Sequence, residues 1–253
     1  QDVPPDYTVT TIGRYQIQSN CTPEIVQRVG RHMNLMFKLY GLHFPASKTP
    51  KFNLVIKLFK NHKLFREYGA SPSAAGYYSH TDREMVGYFT GKIDGEMSRP
   101  GTTGSERPKG FERLRARWTM DTIGVFSHEG WHQYFHWSCG SQVPFPSWID
   151  EGIGDYYYTA WNKNGALVLG GPNDGRLPVI QSAIVQGKHV PIVELIRYEQ
   201  RQYYANPGLC YAEGWSLVHF LFEHPGWKDK DYVEKFVRVF KDQHSITKTL
   251  DQV

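Results

Sequence analysis

The N-terminal part of the chain alternates between strand-type and helix-type patterns. Residues 7–18 are β-branched and aromatic with partial alternation, which predicts one or two strands. Thr22-Pro23-Glu24 predicts a helix start, with a capping hydroxyl and a proline in the first turn. The apolar residues that follow recur at helical spacing and predict a core-facing stripe: Ile25, Val26, Val29, Met33, Met36, Phe37 and Tyr40.

Two further strand signals follow this helix. Residues 52–59 form a short apolar run of strand type, and residues 61–68 predict a returning helix that is closed by Gly69. The segments 76–79 and 85–90 are separated by a polar stretch and predict a hairpin.

Longer helical patterns replace the strands from about residue 119. Residues 91–110 are rich in Gly, Pro, Ser and Thr and predict a loop. The expected helices cover residues 119–138, 148–162, 176–186, 208–223 and 229–242. We therefore expect an α+β fold with a strand-rich N-terminal lobe, residues 1–110, and a helical C-terminal lobe, residues 111–253, forming one catalytic unit.

Composition is that of an ordinary globular protein. The 253 residues are 40% hydrophobic and 21% charged, and this length is enough for a sizeable core without a disulfide or metal. The many aromatic residues are assigned to core packing. The three cysteines, Cys21, Cys139 and Cys210, cannot all pair within one chain and lack zinc-finger spacing.

Charge and hydropathy narrow the classes of partner. A net charge of +4 with interleaved signs argues against nucleic acid, and the basic stretch from Arg107 to Arg117 is interpreted as a solvated face. No apolar run approaches the ~20 residues of a membrane span. The chain starts at Gln1 without Met, as a processed or trimmed chain would, and we expect export to the periplasm or the extracellular space.

The segment His128-Glu-Gly-Trp-His132 carries the first sign of chemistry. Two histidines four residues apart project from one face of a helix and can hold a single metal ion. Glu129 lies beside them, free to take a proton from a water molecule that the metal has made more acidic.

A catalytic zinc site needs a third protein ligand. The metzincin spacing is absent, because Phe135 and Ser138 occupy the positions of its glycine and third histidine. His136 is rotated roughly 80° from His128 around the helix, which makes it a structural or supporting residue. Glu151 remains, on a new helix for which Ser147 and Asp150 are a plausible capping pair.

His128-Glu-Gly-Trp-His132, an eighteen-residue spacer and Trp148-Ile-Asp-Glu151-Gly together resemble the gluzincin metallopeptidases, in the spacing of the aminopeptidase-N-type branch. The resemblance implies one Zn²⁺ held by His128, His132 and Glu151, with Glu129 as general base. Asp155 resembles the carboxylate that orients a ligand histidine in that family. The alternative for Asp155 is a simple helix-surface residue.

Tyr211 is the candidate oxyanion donor. Its segment, Cys210-Tyr-Ala-Glu-Gly, is similar to the Tyr-Glu-Lys-Gly helix start that carries the transition-state tyrosine in aminopeptidase-N-type enzymes. Tyr203 and Tyr204 are the alternatives.

From residue 7 to about residue 240, the order of elements resembles the peptidase-MA-like domain family, whose zincin-like fold holds zinc in a cleft between two lobes. In such folds an edge strand binds the substrate backbone, and we expect that role of Gly87, Tyr88 and Phe89. The Gly-x-Met-x-Asn strand that captures a substrate amine in aminopeptidases has no counterpart here.

The expected function is zinc-dependent hydrolysis of peptide or protein substrates, by an endopeptidase rather than an aminopeptidase. Two other classes stay open. One is a zinc hydrolase of a non-peptide amide or a modified peptide, and the other is a non-catalytic zincin-fold binding protein. The sequence does not indicate an oligomeric state.

Overall fold

The computed structural model of the chain describes residues 6–46, 49–93, 120–139, 144–163 and 166–244. The basic stretch from Arg107 to Arg117 lies outside the described residues, as does most of the predicted loop at 91–110.

A five-stranded sheet is built entirely from the N-terminal part of the chain. Its strands are β1 (Thr8–Ile12), β2 (Tyr15–Ser19), β3 (Leu54–Phe59), β4 (Gly76–Ser79) and β5 (Glu84–Tyr88). The spatial order is β1-β2-β3-β5-β4. Strands β2, β3 and β5 run parallel, and β1 and β4 are antiparallel to their neighbours. The predicted strands and the predicted hairpin of β4 and β5 are confirmed.

Helices form the rest of the described chain. They are α1 (Pro23–His43), α2 (His62–Glu67), α3 (Thr122–Cys139), α4 (Ser147–Tyr158), α5 (Leu177–Val185), α6 (Ile192–Leu195), α7 (Gln200–Tyr203), α8 (Pro207–Glu223) and α9 (Tyr232–His244). A two-stranded ribbon, β6 (Trp161–Lys163) and β7 (Ala166–Val168), and a 3-10 turn at Lys228–Lys230 complete them. The sequence did not predict the ribbon, α6 or α7, because each is only three or four residues long.

Helix starts were predicted with mixed success. Helix α1 begins at Pro23 as expected, but the Thr22 side chain makes no capping hydrogen bond, so the predicted capping hydroxyl is wrong and the predicted proline is confirmed. Asn61 caps α2 by accepting a hydrogen bond from the Leu64 amide, and Gly69 follows at φ +108°. The predicted pair of Ser147 and Asp150 is wrong, because Pro146 is the N-cap of α4.

The main core lies between the sheet, α1 and the helices of the C-terminal part. Alternate residues of β3, namely Leu54, Ile56 and Leu58, face it and are at most 3% exposed. The opposite face of the sheet packs Phe59 and Val86 against helix α2 in a smaller cluster. One contiguous core thus joins the strand-rich and helical segments in a mixed α+β fold.

His32 is a polar member of this core. Its side chain is buried against α3, with Nε2 2.8 Å from Ser127 Oγ. The Ser127 hydroxyl gives its proton to Ile123 O, so His32 Nε2 is the donor in the pair. Burial lowers the pKa of His32 to about 4, and the ring is therefore neutral in the folded protein at pH 7.

Glycines let α4 pack directly against α8. A Cβ atom on Gly152 would lie 2.6 Å from Gly214 O, and a Cβ atom on Gly214 would lie 2.6 Å from Trp148 O. Both contacts involve backbone, which cannot move aside as a side chain can. This crossing fixes the helix that carries Glu151 against the helix that carries Tyr211.

Among the described helices, none is both long and apolar enough to cross a membrane.

We expect Gly152→Ala to lower the free energy of unfolding by about 2 kcal/mol or more, because the added methyl group forces the two backbones apart. The matched control is Gly208→Ala, in the first turn of α8, where an added Cβ meets no atom within 4 Å. Urea denaturation of the two variants compares them directly. Equal stability of the two would contradict the close crossing.

Acidification should destabilise the fold through His32. Because the pKa of a histidine in the unfolded chain is about 6.5, the unfolded state binds this proton first, and stability is lost as pH falls from about 6.5 towards about 4. Between pH 7 and pH 5 the loss should be about 2 kcal/mol. Urea denaturation at both pH values should show a smaller loss for His32→Gln than for the parent, and no such difference for the exposed His189→Gln.

Candidate metal centre

His128 and His132 face Glu151 across the contact between α3 and α4. His128 Nε2 lies 3.1 Å from His132 Nε2 and 2.9 Å from Glu151 Oε2, and His132 Nε2 lies 3.5 Å from the same carboxylate oxygen. The ligand atoms of the three residues all lie within 4.8 Å of one another. The structure therefore brings the three predicted ligands together as a group that can hold a metal ion.

The far nitrogen of each imidazole faces a second carboxylate. His128 Nδ1 is 3.1 Å from Asp155 Oδ1, and His132 Nδ1 is 3.1 Å from Asp150 Oδ1. When a metal ion displaces the proton from each Nε2, each Nδ1 keeps the proton that it donates to its carboxylate and each Nε2 presents a lone pair. Two such lone pairs and a carboxylate oxygen then converge on one point, and this donor set suits a divalent cation.

Negative charge is concentrated around this point. Although burial lowers the pKa of His128, its hydrogen bonds to Asp155 and Glu151 outweigh burial and raise the value to about 10. Burial raises the pKa of Glu151, but the charge of His132 and hydrogen bonds from both histidines hold the value well below the ordinary range. Both directions show that the buried carboxylates favour a positive charge between them.

Glu129 lies next to the two histidines without joining their hydrogen bonds. Its Cγ would be 3.4 Å from a Cβ atom on Gly76, so strand β4 passes directly over it. Burial raises the pKa of Glu129, and the nearby His128, His132 and a hydrogen bond from the Tyr78 backbone counteract this effect. The side chain is half-buried and borders the open cleft.

Arg176 is a partner of Asp155 that the sequence did not reveal. Its Nε donates to Asp155 Oδ2 at 2.6 Å, and its Nη2 donates to Asp155 Oδ1 at 3.3 Å. The guanidinium carbon also lies 4.7 Å from the centre of the Tyr211 ring. Asn173 Oδ1 accepts from the Arg176 backbone amide and fixes the start of this segment. Arg176 thus holds both Asp155 and Tyr211.

The three candidate tyrosines have different surroundings. The Tyr211 ring stacks over His128 with centroids 6.3 Å apart, and burial raises the pKa of its hydroxyl, which keeps the proton available. The Tyr204 hydroxyl donates to Glu151 Oε1 at 2.5 Å. Tyr203 is fully buried and donates to Cys210 O, outside the cleft.

Two other predicted residues occupy positions that the sequence could not specify. His136 is not part of the metal cluster but lines the same cavity, with Nδ1 2.7 Å from the Tyr78 hydroxyl. Asp150 accepts hydrogen bonds from Trp131 Nε1 at 2.8 Å and from His132 Nδ1 instead of capping α4. An acidic residue directly before Glu151 was the available signal for Asp150, but only the tertiary contact shows its partner.

The prediction that Gly87, Tyr88 and Phe89 form the substrate-binding edge strand is wrong. Gly87 and Tyr88 belong to β5, which pairs with β3 on one side and β4 on the other. The backbone amide of Phe89 is also engaged, because it donates a hydrogen bond to Phe59 O. Among the described strands, the edge next to Glu129 is β4, Gly76–Ser79, and its Tyr78 backbone already donates to the Glu129 carboxylate.

Removal of either supporting carboxylate should weaken metal binding. We expect Asp155→Ala and Asp150→Ala each to lower the affinity for Zn²⁺ by about 10-fold to 100-fold, because the ligand ring loses the group that fixes its orientation. Competition with a chromogenic chelator measures this. Asp242→Ala, on the exposed side of α9, is the control and should leave the affinity unchanged; equal affinities in all three variants would contradict this role.

A comparison with known families gives one match. A family profile described as "Protein of unknown function (DUF1570)" matches residues 122–243. The matched segment is similar to that family from α3 to α9 and contains every residue of the metal cluster and its supporting shell. No curated protein matches the chain.

Proposed function

We propose that the protein is a zinc-dependent peptidase of the gluzincin type that hydrolyses peptide bonds within a chain. The observation that carries the proposal is the convergence of His128 Nε2, His132 Nε2 and Glu151 Oε2, with Glu129 free beside them. Two nitrogens and one carboxylate oxygen form the protein part of many catalytic zinc sites, in which a fourth position stays open.

The ion, when bound, would polarise a substrate carbonyl and make water acidic near neutral pH. Glu129 accepts the proton of the attacking water as the oxygen–carbon bond forms. It then gives that proton to the leaving nitrogen as the carbon–nitrogen bond breaks. The half-buried position of Glu129 at the cleft suits both transfers.

Tyr211 is proposed as the donor to the oxyanion. It stays protonated at neutral pH and borders the cleft beside His128 and Glu129. Both Tyr204 and Tyr211 hydrogen-bond Glu151, but only Tyr211 borders both cavities, so Tyr204 is assigned to orienting that ligand. Arg176 holds Asp155, which in turn orients His128.

The shape of the cleft supports an endopeptidase. Cavities of about 560 Å³ and about 390 Å³ lie on the two sides of Glu129, which leaves room for substrate on both sides of the reacting bond. Strand β4, at the edge of the sheet in the part of the chain that the structure describes, runs past the same residue and could pair with an extended peptide. A zinc hydrolase of non-peptide amides would use the same residues, and a binding protein would not need Glu129.

Glu129→Gln should lower the turnover of a peptide library by about 10²-fold to 10⁴-fold and leave bound zinc unchanged, because the amide cannot accept the proton. Mass spectrometry of the products and metal analysis measure the two quantities. The control is Glu24→Gln, at an exposed position in the first turn of α1.

Bound zinc with no cleavage that depends on Glu129 would contradict the peptidase and favour a binding protein. Cleavage of small amides without cleavage of any peptide would favour the non-peptide hydrolase.

A further inference from the structure

The cleft divides at the metal cluster into two cavities. Four residues border both of them, Gly76, His128, Glu129 and Tyr211. A peptide whose reacting bond lies at Glu129 can therefore place the residues on one side of that bond in one cavity and those on the other side in the other cavity. The chemistry of each cavity decides which side chains it accepts.

The two cavities differ in chemistry. The smaller, about 390 Å³, has a mixed lining of small, polar and apolar side chains, including Ser73, Ala74, Met120, Val125, Asn173 and Arg176. The larger, about 560 Å³, has walls made of rings, including Tyr78, His80, Phe135, His136, Phe145 and Tyr204. We call the larger cavity the aromatic half.

The rings of the aromatic half support one another. Tyr78, His80 and His136 form a cluster with centroids 4.8–5.6 Å apart, fixed by the hydrogen bond between the Tyr78 hydroxyl and His136. Phe135 and Phe145 stack with centroids 4.3 Å apart. A ring inserted between these two groups would meet ring faces and edges at the distances that aromatic pairs favour.

Charge in the aromatic half disfavours an acidic side chain, because the carboxylates of Glu129, Asp150 and Glu151 border it. Of the described residues that line it, none is a lysine or arginine. Burial lowers the pKa of His136 to about 4, so this ring is neutral at pH 7. The carboxylates of Asp150 and Glu151 already accept hydrogen bonds from Trp131, His132 and Tyr204.

We propose that the aromatic half is a subsite for an aromatic side chain of the peptide substrate, which packs against Tyr78, His80 and His136. The proposal rests on the proposed peptidase function for its biological meaning. The subsite itself can be tested by binding alone, so that the two can fail separately.

The binding test uses the full chain carrying Glu129→Gln and loaded with zinc, so that no probe is consumed. N-acetyl-phenylalanine amide, N-acetyl-alanine amide and N-acetyl-lysine amide are titrated with detection by ligand-observed NMR. We expect the phenylalanine amide to bind about 10-fold more tightly than the alanine amide, because its ring is removed from water.

Substitutions at His80 test the assignment to this cavity. His80 is exposed, so its replacement should preserve the fold. His80→Ala should lower the affinity for the phenylalanine amide about 5-fold. His80→Asp should lower it too, and should also raise the affinity for the lysine amide. His189→Ala, an exposed histidine outside both cavities, is the control and should change neither affinity.

Cleavage of a peptide library by the zinc-loaded parent gives the second readout. Enrichment of Phe, Tyr or Trp at one fixed position beside the cleaved bond, reduced in His80→Ala, supports the subsite. Equal binding of all three amides, preference for lysine, or cleavage without aromatic enrichment overturns it. If His80→Ala weakens binding of the phenylalanine amide but no cleavage depends on Glu129, the peptidase function is overturned and the subsite is retained.

Discussion

Close packing of α3, α4 and α8 is the constraint on which the candidate site depends. Gly154 leaves the space that the His128 ring occupies, since a Cβ atom there would lie 2.7 Å from its Cε1. Gly124 and Gly152 let α4 approach α3 on one side and α8 on the other, with backbone oxygens 2.9 Å and 2.6 Å from the positions of added Cβ atoms. Glu151 reaches both histidines only because the helices are this close. Strand β4 crosses α3 at Gly76, where it lies against Glu129 in the wall of the cleft.

This packing also concentrates charge. It gathers the carboxylates of Glu129, Asp150, Glu151 and Asp155 around two imidazoles. Removing these carboxylates from water costs free energy, and a bound metal ion would offset that cost. Arg176 neutralises part of the charge at Asp155. Helix α8 carries Tyr211 to the border of both cavities, and Tyr204, directly after α7, donates to Glu151 beside it.

The sequence revealed the parts of the site that depend on local spacing. His128 and His132 share a helix face because they are four residues apart, and Asp155 shares a face with Glu151 for the same reason. It did not reveal the partners set by tertiary contacts. Asp150 looked like a capping residue, and nothing near Arg176 in the chain indicates Asp155 as its partner. The strand order was also missed, because the pairing of β3 with β5 joins residues distant in sequence and leaves β4 at the edge.

The zinc environment tests the central claim, that His128, His132 and Glu151 hold the ion, most directly. X-ray absorption spectroscopy of the zinc-loaded chain should show nitrogen and oxygen neighbours at about 2.0–2.1 Å, with the multiple scattering of two imidazoles. No disulfide joins the described cysteines, Cys21, Cys139 and Cys210, so a misassigned site with a thiolate ligand would show a sulfur neighbour. A sulfur shell at about 2.3 Å, or zinc without imidazole scattering, would contradict the account.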